Sequence, residues 1–225
     1  MLELVDLGKK MNKQSYREVF PQLETDLGAA QRALRAAGVP VVIVFEGWDA
    51  AGKGNLINRL TQALDPRGFR VRAISAPNEV ECRYPWMWRF WSALPPDGQF
   101  AIFDRCWYGR VLVERMEGLV SKREWREAYE EIDQFERQLA DAGTVLVKFW
   151  LHIDRDEQKK RFKRLEEDPA TAWKVGKSEW NQHRDYDQWL EAVEEMFERT
   201  STAQAPWTIV EATQRRFARV RVFET

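Results

Sequence analysis

Cysteine and histidine are scarce in this 225-residue chain, with two of each. Cys82 and Cys106 have neither a disulfide-framework nor a metal-ligand spacing, which suits a reducing, cytoplasmic setting. His152 and His183 stand in no nucleophile or metal-ligand pattern, and lone histidines of this kind are usually structural. No apolar run approaches the ~20 residues of a membrane span, and no secretory leader is recognisable, so no membrane partner is expected. The net charge of −1 provides no global basic field to recruit nucleic acid. Any polyanion must therefore be held by local clusters of charge. What remains is an ordinary soluble composition, 44% hydrophobic and 32% charged, with eleven tryptophans that read mainly as core packing. The length suits one α/β domain with a sizeable core.

A second absence is more local. Val41 to Phe45 is an apolar, β-branched run that reads as a buried strand, and Gly47, Gly52 and Lys53 follow in the spacing G-x-x-x-x-G-K. Such a loop wraps backbone N–H groups around a phosphate, with the positive end of the next helix and the lysine adding charge. Ala50, Ala51 and Gly54 complete the cradle with the two glycines. The usual loop places Ser or Thr after the lysine to hold magnesium, and here that position is Gly54. Asp49, inside the loop, is the candidate replacement.

Around this loop the chain alternates strands and helices. Residues 1–14 read as an N-terminal arm, loosely held over 1–12, before a helix with a capping-box pattern at Ser15 and Glu18. Further strands are expected over Phe69–Ile74, Phe100–Phe103, Val145–Leu151 and Trp207–Val210. A helix is expected from Tyr84 toward Pro95, a long one from a second capping box at Ser121 and Glu124, and others over 158–164, 186–197 and the basic C-terminus. With no repeat or inter-domain linker, residues 15–225 read as one three-layer α/β/α domain with a mostly parallel sheet. Residues of about 154–183 read as a helical lid.

An apolar strand ending in Asp104, some fifty residues after Lys53, looks like the second acidic position of a phosphate-handling site. Asp49 and Asp104 would together orient Mg2+, or Mn2+, with waters completing the shell. Phosphoryl transfer also needs fixed cations. Arg105 and Arg110 flank Asp104, and Arg161 and Arg164 lie three apart in the basic run 159–164, so both can face one site. Lys159, Lys160 and Lys163 read as a solvated face. When the acceptor is itself a phosphate oxygen, positioning and charge neutralisation suffice without a strong general base.

The segments Phe45–Gly54, Phe103–Arg110, Lys148–Leu151, Gln158–Arg164 and Ala205–Trp207 strongly resemble the polyphosphate kinase type 2 family, in its order and from about Ser15 to Val222. Cys106 stands where Ser is common there, and Trp48 where Arg is frequent. The resemblance implies a thymidylate-kinase-like P-loop fold that uses inorganic polyphosphate as phosphoryl donor to a nucleotide. It implies that Asp49 and Asp104 serve magnesium and the acceptor, that Lys53 and Arg105 contact the transferred phosphate, and that Arg161 acts from the lid. It suggests weaker polyphosphate contacts for Arg110 and the C-terminal arginines. Tyr108–Arg115 and Glu198–Thr202 look most like polyphosphate:AMP phosphotransferases, so AMP to ADP is the expected reaction. ADP to ATP, or a guanine nucleotide, is the nearest alternative, and a homo-oligomer is expected. An ATP-dependent nucleoside monophosphate kinase and a non-catalytic binding domain are the rivals of other kinds.

Overall fold

A computed structural model describes residues 2–225. Five parallel strands form one sheet in the order β2-β3-β1-β4-β5. They are β1 (Val41–Gly47), β2 (Phe69–Ala73), β3 (Phe100–Asp104), β4 (Val145–His152) and β5 (Trp207–Glu211). β1, β3 and β4 are the nearly continuous apolar runs because helices cover both of their faces. β2 lies at an edge, and its alternating apolar and basic residues are correspondingly half-exposed. β1 sits between β3 and β4, with Phe45 level with both Asp104 and Phe149. The loop after β1 and the end of β3 therefore leave the sheet side by side at its C-terminal edge, where open α/β sheets bind ligands.

Helices α1 (Lys13–Ala36), α2 (Lys53–Gln62) and α9 (Arg215–Glu224) form one layer, and α5 (Lys122–Asp141) with α8 (Tyr186–Thr200) the other. Short helices α3 (Trp88–Trp91) and α4 (Val113–Met116) flank β3. Helices α6 (Arg155–Glu167) and α7 (Lys177–Arg184) follow β4. The three-layer α/β/α expectation holds.

Three local expectations differ from the structure. The first helix begins at Lys13 and is capped by Asn12, whose side chain accepts the Ser15 N–H at 2.8 Å. Ser15 is already inside the first turn, so it does not serve as the cap. The segment before that helix is not loosely held. Leu2 is buried in the core, Lys9 pairs with Glu211 at 2.7 Å, and the backbone of Met11 bonds Gln214 and Arg216. Between Tyr84 and Pro95 only the single turn of α3 is α-helical. Pro85 holds Tyr84 extended, at φ −118° and ψ 161°, and so delays the helix. The second capping box is as read, with Ser121 and Glu124 bonding each other's backbone N–H.

The layer holding α5 and α8 contains a buried charge. Lys148, fully buried on β4, donates to Glu136 at 2.7 Å, to the Tyr108 hydroxyl at 2.8 Å and to the Thr200 carbonyl at 2.9 Å. Glu136 also accepts from Tyr108 and from the Trp107 indole. Every donor of the ammonium is used, which is what makes burying it tolerable. Burial pulls the Lys148 pKa down and pushes that of Glu136 up, while their mutual attraction opposes both shifts. The network anchors residues 107–108, immediately after the Asp104–Arg105 strand end.

Candidate active site

The β1–α2 loop begins where Gly47 passes against β4. A Cβ there, at φ +140°, would lie 2.5 Å from the Leu151 carbonyl oxygen, so glycine is required. Ala50 and Arg105 are non-glycine residues in the left-handed region, at φ +61° and +62°. Such strain costs on the order of 1–3 kcal/mol per residue and must be held by its surroundings. At Arg105 the backbone N–H bonds the Phe45 carbonyl, and the next N–H, of Cys106, bonds the buried Glu46 carboxylate at 2.9 Å. This turn sends the Arg105 guanidinium back to Asp49 Oδ1 at 2.8 Å.

Burial raises the Glu46 pKa, against the nearby charges of Lys53 and Arg105, which lower it. The Asp49 carboxylate in turn raises the pKa of Arg105. Lys53 folds onto its own loop, donating to the Gly47 carbonyl at 2.7 Å and the Trp48 carbonyl at 3.2 Å, with Asp49 Oδ1 at 3.7 Å. Both cations approach the same oxygen of Asp49.

Two clefts meet here. The larger, of about 720 Å³, is lined by Asp49–Leu56, Asp104 and Arg105, with Arg164 and Lys174 from the lid and Arg215 and Arg219 from α9. Partial burial and the neighbouring Arg164, Arg161 and Arg219 depress the Arg215 pKa, the mark of crowded positive charge that an anion would relieve. The smaller cleft lies on the far side of Asp49 and Arg105, which line both. Its walls include Gly109, Trp150, Trp189 and, from α7, Glu179 and Gln182.

The expected residues distribute unevenly. Asp49, Ala50, Ala51, Gly52, Lys53, Gly54, Asp104, Arg105 and Arg164 share the large cleft, while Gly47 lines the small one. Two others are already engaged by the protein itself. Arg110 lines neither cleft; it pairs with Glu114 at 2.7 Å and lies over the Trp86 ring. Arg161 lines the cleft but is buried, and its N–H groups all meet protein oxygens. Nε bonds Glu157, Nη1 bonds the Ala50 and Ala51 carbonyls, and Nη2 bonds those of Ala212 and Thr213. It fastens the phosphate loop to the turn before α9 rather than reaching over the cleft as a free cation. Gln158, fully buried one turn earlier, adds a bond from its amide to the Asp49 carbonyl and is met on its other side by His183 Nδ1.

Sequence reasoning missed Glu46, Gln158 and the exposed Trp173 at the cleft mouth. The spacing of Gln158 and Arg161, three apart on α6, was the available signal for one face against the loop. Among the described residues no cluster of three acidic, histidine or cysteine side chains could hold a metal alone. Asp49 and Asp104 both line the large cleft and are the carboxylates there that could help hold a divalent cation, although Asp49 Oδ1 already accepts from Arg105.

A glycine-lined loop after the central parallel strand, a lysine at the head of the next helix and an acidic strand end beside it define a P-loop fold built to handle phosphate. The chain belongs to the polyphosphate kinase 2 family, whose profile (Polyphosphate kinase 2, PPK2) matches residues 10–225. It is 47% identical over 225 residues to a polyphosphate:AMP phosphotransferase of Pseudomonas aeruginosa, covering all of this chain and 45% of that one. It is 38% identical over 213 residues to an ADP-polyphosphate phosphotransferase of the same organism, covering 95% of this chain and 70% of the relative. A crystal structure of a Pseudomonas aeruginosa protein described as a polyphosphate kinase 2 superposes with a TM-score of 0.96 at 47% identity. The match covers 99% of this chain and 48% of that one. The chain thus spans under half the length of the polyphosphate:AMP phosphotransferase it matches.

Proposed function

We propose that this chain transfers the terminal phosphoryl group of inorganic polyphosphate to AMP. The observation that carries the reading is that Asp49 and Arg105 stand on the walls of both clefts. A donor in one and an acceptor in the other would meet at this pair. A phosphate oxygen of AMP attacks the terminal phosphorus, the bond from that phosphorus to the chain's bridging oxygen breaks, and ADP leaves with a chain one unit shorter. The nucleophile is already an anion, so no base need be charged first. Lys53, Arg105 and the loop N–H groups would stabilise the spread of negative charge.

Asp49 and Asp104 would hold Mg2+ or Mn2+, which neutralises phosphate charge when bound. AMP rather than a diphosphate rests on the name and 47% identity of the first relative. A homo-oligomer and a cytoplasmic location belong to the same proposal. Among the described residues no helix is long and apolar enough to cross a membrane.

The test offers AMP, ADP, GMP and GDP separately with polyphosphate and magnesium, and resolves products by chromatography. ADP from AMP is expected, with loss of turnover in Lys53→Ala. ATP from ADP without ADP from AMP would replace the acceptor. Turnover only with ATP as donor would replace the reaction.

A further inference from the structure

A further cationic cleft lies outside the site, at the β2 edge of the sheet. Arg70, exposed, and Arg72, half-buried, stand two apart on β2, so their side chains leave the same face of the strand. Both line a cleft of about 160 Å³, many times the roughly 10–15 Å³ that one water requires. Its remaining walls are residues 93–96, Gln99 and the β3 residues Phe100 and Ala101, and none of these is acidic.

Neither guanidinium has a hydrogen bond or ion pair among the described residues, and Arg72 Nε is buried without an acceptor. Arg59, Arg89 and Arg110 also bury an unmatched Nε, but each is paired with a carboxylate, of Glu24, Glu81 and Glu114 respectively. Arg72 lacks both an acceptor for that N–H and a counter-charge. An anion in the cleft would supply the two together.

The place of the cleft in the fold indicates which anion. Ala73 and Ile74, the two residues after Arg72, border the large cleft that holds Asp104, Arg105 and the arginines of α9. β2 therefore leads from one cationic cleft to the other. At roughly 3.3 Å per residue, Arg70 and Arg72 lie about 7 Å apart along the strand, a spacing that suits an anion with charge repeated along its length. Inorganic polyphosphate is such a chain, and its oxygens accept hydrogen bonds all along it.

We infer that the cleft of Arg70 and Arg72 is a secondary site for the polyphosphate donor, holding phosphate units remote from the end that reacts at Asp49 and Arg105. This deepens the proposed use of polyphosphate and gives it a dependence on chain length. A chain of a few units ends before the edge of the sheet and gains nothing there. A long chain is held in two places, and the second contact forms at the high effective concentration set by the first. These remote units are bound alike before and during transfer, so they act on the donor KM and leave kcat alone.

The experiment measures kcat and donor KM with tripolyphosphate and with long-chain polyphosphate, at saturating AMP. It compares the wild type, Arg70→Gln and the double variant Arg70→Gln with Arg72→Gln. Expected is a long-chain KM raised about ten-fold in the double variant and less in the single one. The tripolyphosphate KM, the AMP KM and kcat should not change. The size corresponds to the loss of two half-exposed charge-assisted contacts, and it should shrink as salt is added. Thermal melting identifies a variant that fails to fold, and Arg70→Gln, an exchange at an exposed position, carries the test if the double variant does so. An unchanged long-chain KM in the folded variants, or an equal rise with tripolyphosphate, overturns the inference. Wild-type protein that turns over neither donor overturns the parent proposal instead.

Discussion

Replacing Arg161 with alanine separates a residue that builds the phosphate loop from one that touches the phosphate in flight. The guanidinium makes five hydrogen bonds, to the Glu157 carboxylate at 2.7 Å and to four carbonyls at 2.8–3.0 Å. Removing one partner of a buried charged network costs on the order of 3–5 kcal/mol. At roughly 2–4 °C per kcal/mol for a chain of this size, the melting temperature should fall by about 6–20 °C. Activity should fall as well, because the Ala50 and Ala51 carbonyls lose the fork that holds a strained loop in place, and lysine in that position should rescue neither property. Lysine keeps the charge but cannot span two pairs of carbonyls with a planar fork. Calorimetry on the folded protein, read beside kcat and both KM values, checks this. A variant that melts normally yet loses roughly 100-fold or more in kcat would refute it. That result would mean Arg161 acts on the developing charge of the transferred group.

Two further predictions concern the scaffold. Lys148→Met should destabilise the protein by about 3–5 kcal/mol because it strands the Glu136 carboxylate, whereas Lys148→Met with Glu136→Leu should recover most of that loss in a denaturant titration. His152 accepts the Trp48 indole N–H at 3.0 Å, and burial lowers its pKa to about 4 from an ordinary 6.5. Because the unfolded chain binds the proton first, this residue's contribution is whole above pH 6.5 and is lost as pH falls from about 6.5 to about 4. The loss is at most about 3 kcal/mol at 1.36 kcal/mol per unit. Melting temperatures across that window should fall less steeply for His152→Asn than for the wild type, and parallel slopes would contradict the assignment.

The sheet was legible because its evidence is local. Val41–Phe45 and Phe100–Phe103 are continuous apolar runs, and the loop and Asp104 follow them directly. The Ser121–Glu124 cap was legible for the same reason, since both partners lie within four residues. Asn12 was not read as the first cap, because Ser15 and Glu18 present the same spacing three residues later and only the backbone geometry chooses. Lys148 looked like one residue of a buried strand, and nothing beside it announces Glu136, which arrives from α5, or Tyr108, which follows β3. Arg161 is the informative case. A basic run on a helix says that one face is cationic, but whether that face meets solvent, ligand or carbonyl oxygens depends on elements more than fifty residues away in either direction.

The same long-range convergence explains how one loop borders two clefts. Asp49 belongs to the segment after β1, Arg105 to the strained turn after β3, and their 2.8 Å contact is the partition between the clefts. That partition is held from both sides. Glu46 fixes the Cys106 N–H behind Arg105, and Gln158 and Arg161 fix the carbonyls of Asp49, Ala50 and Ala51. In the proposed transfer the phosphoryl group would cross at this pair, where buried supports keep an arginine and a carboxylate in register. The dependence on two separate supports means that weakening either should move the pair without removing it. Glu46→Gln, which leaves an acceptor for the Cys106 N–H, should therefore cost less activity than Glu46→Ala, with kcat ratios against Asp49→Ala as the measure. Equal losses for Glu46→Gln and Glu46→Ala would show that the carboxylate's charge beside Lys53 and Arg105, rather than its hydrogen bond, sustains the site.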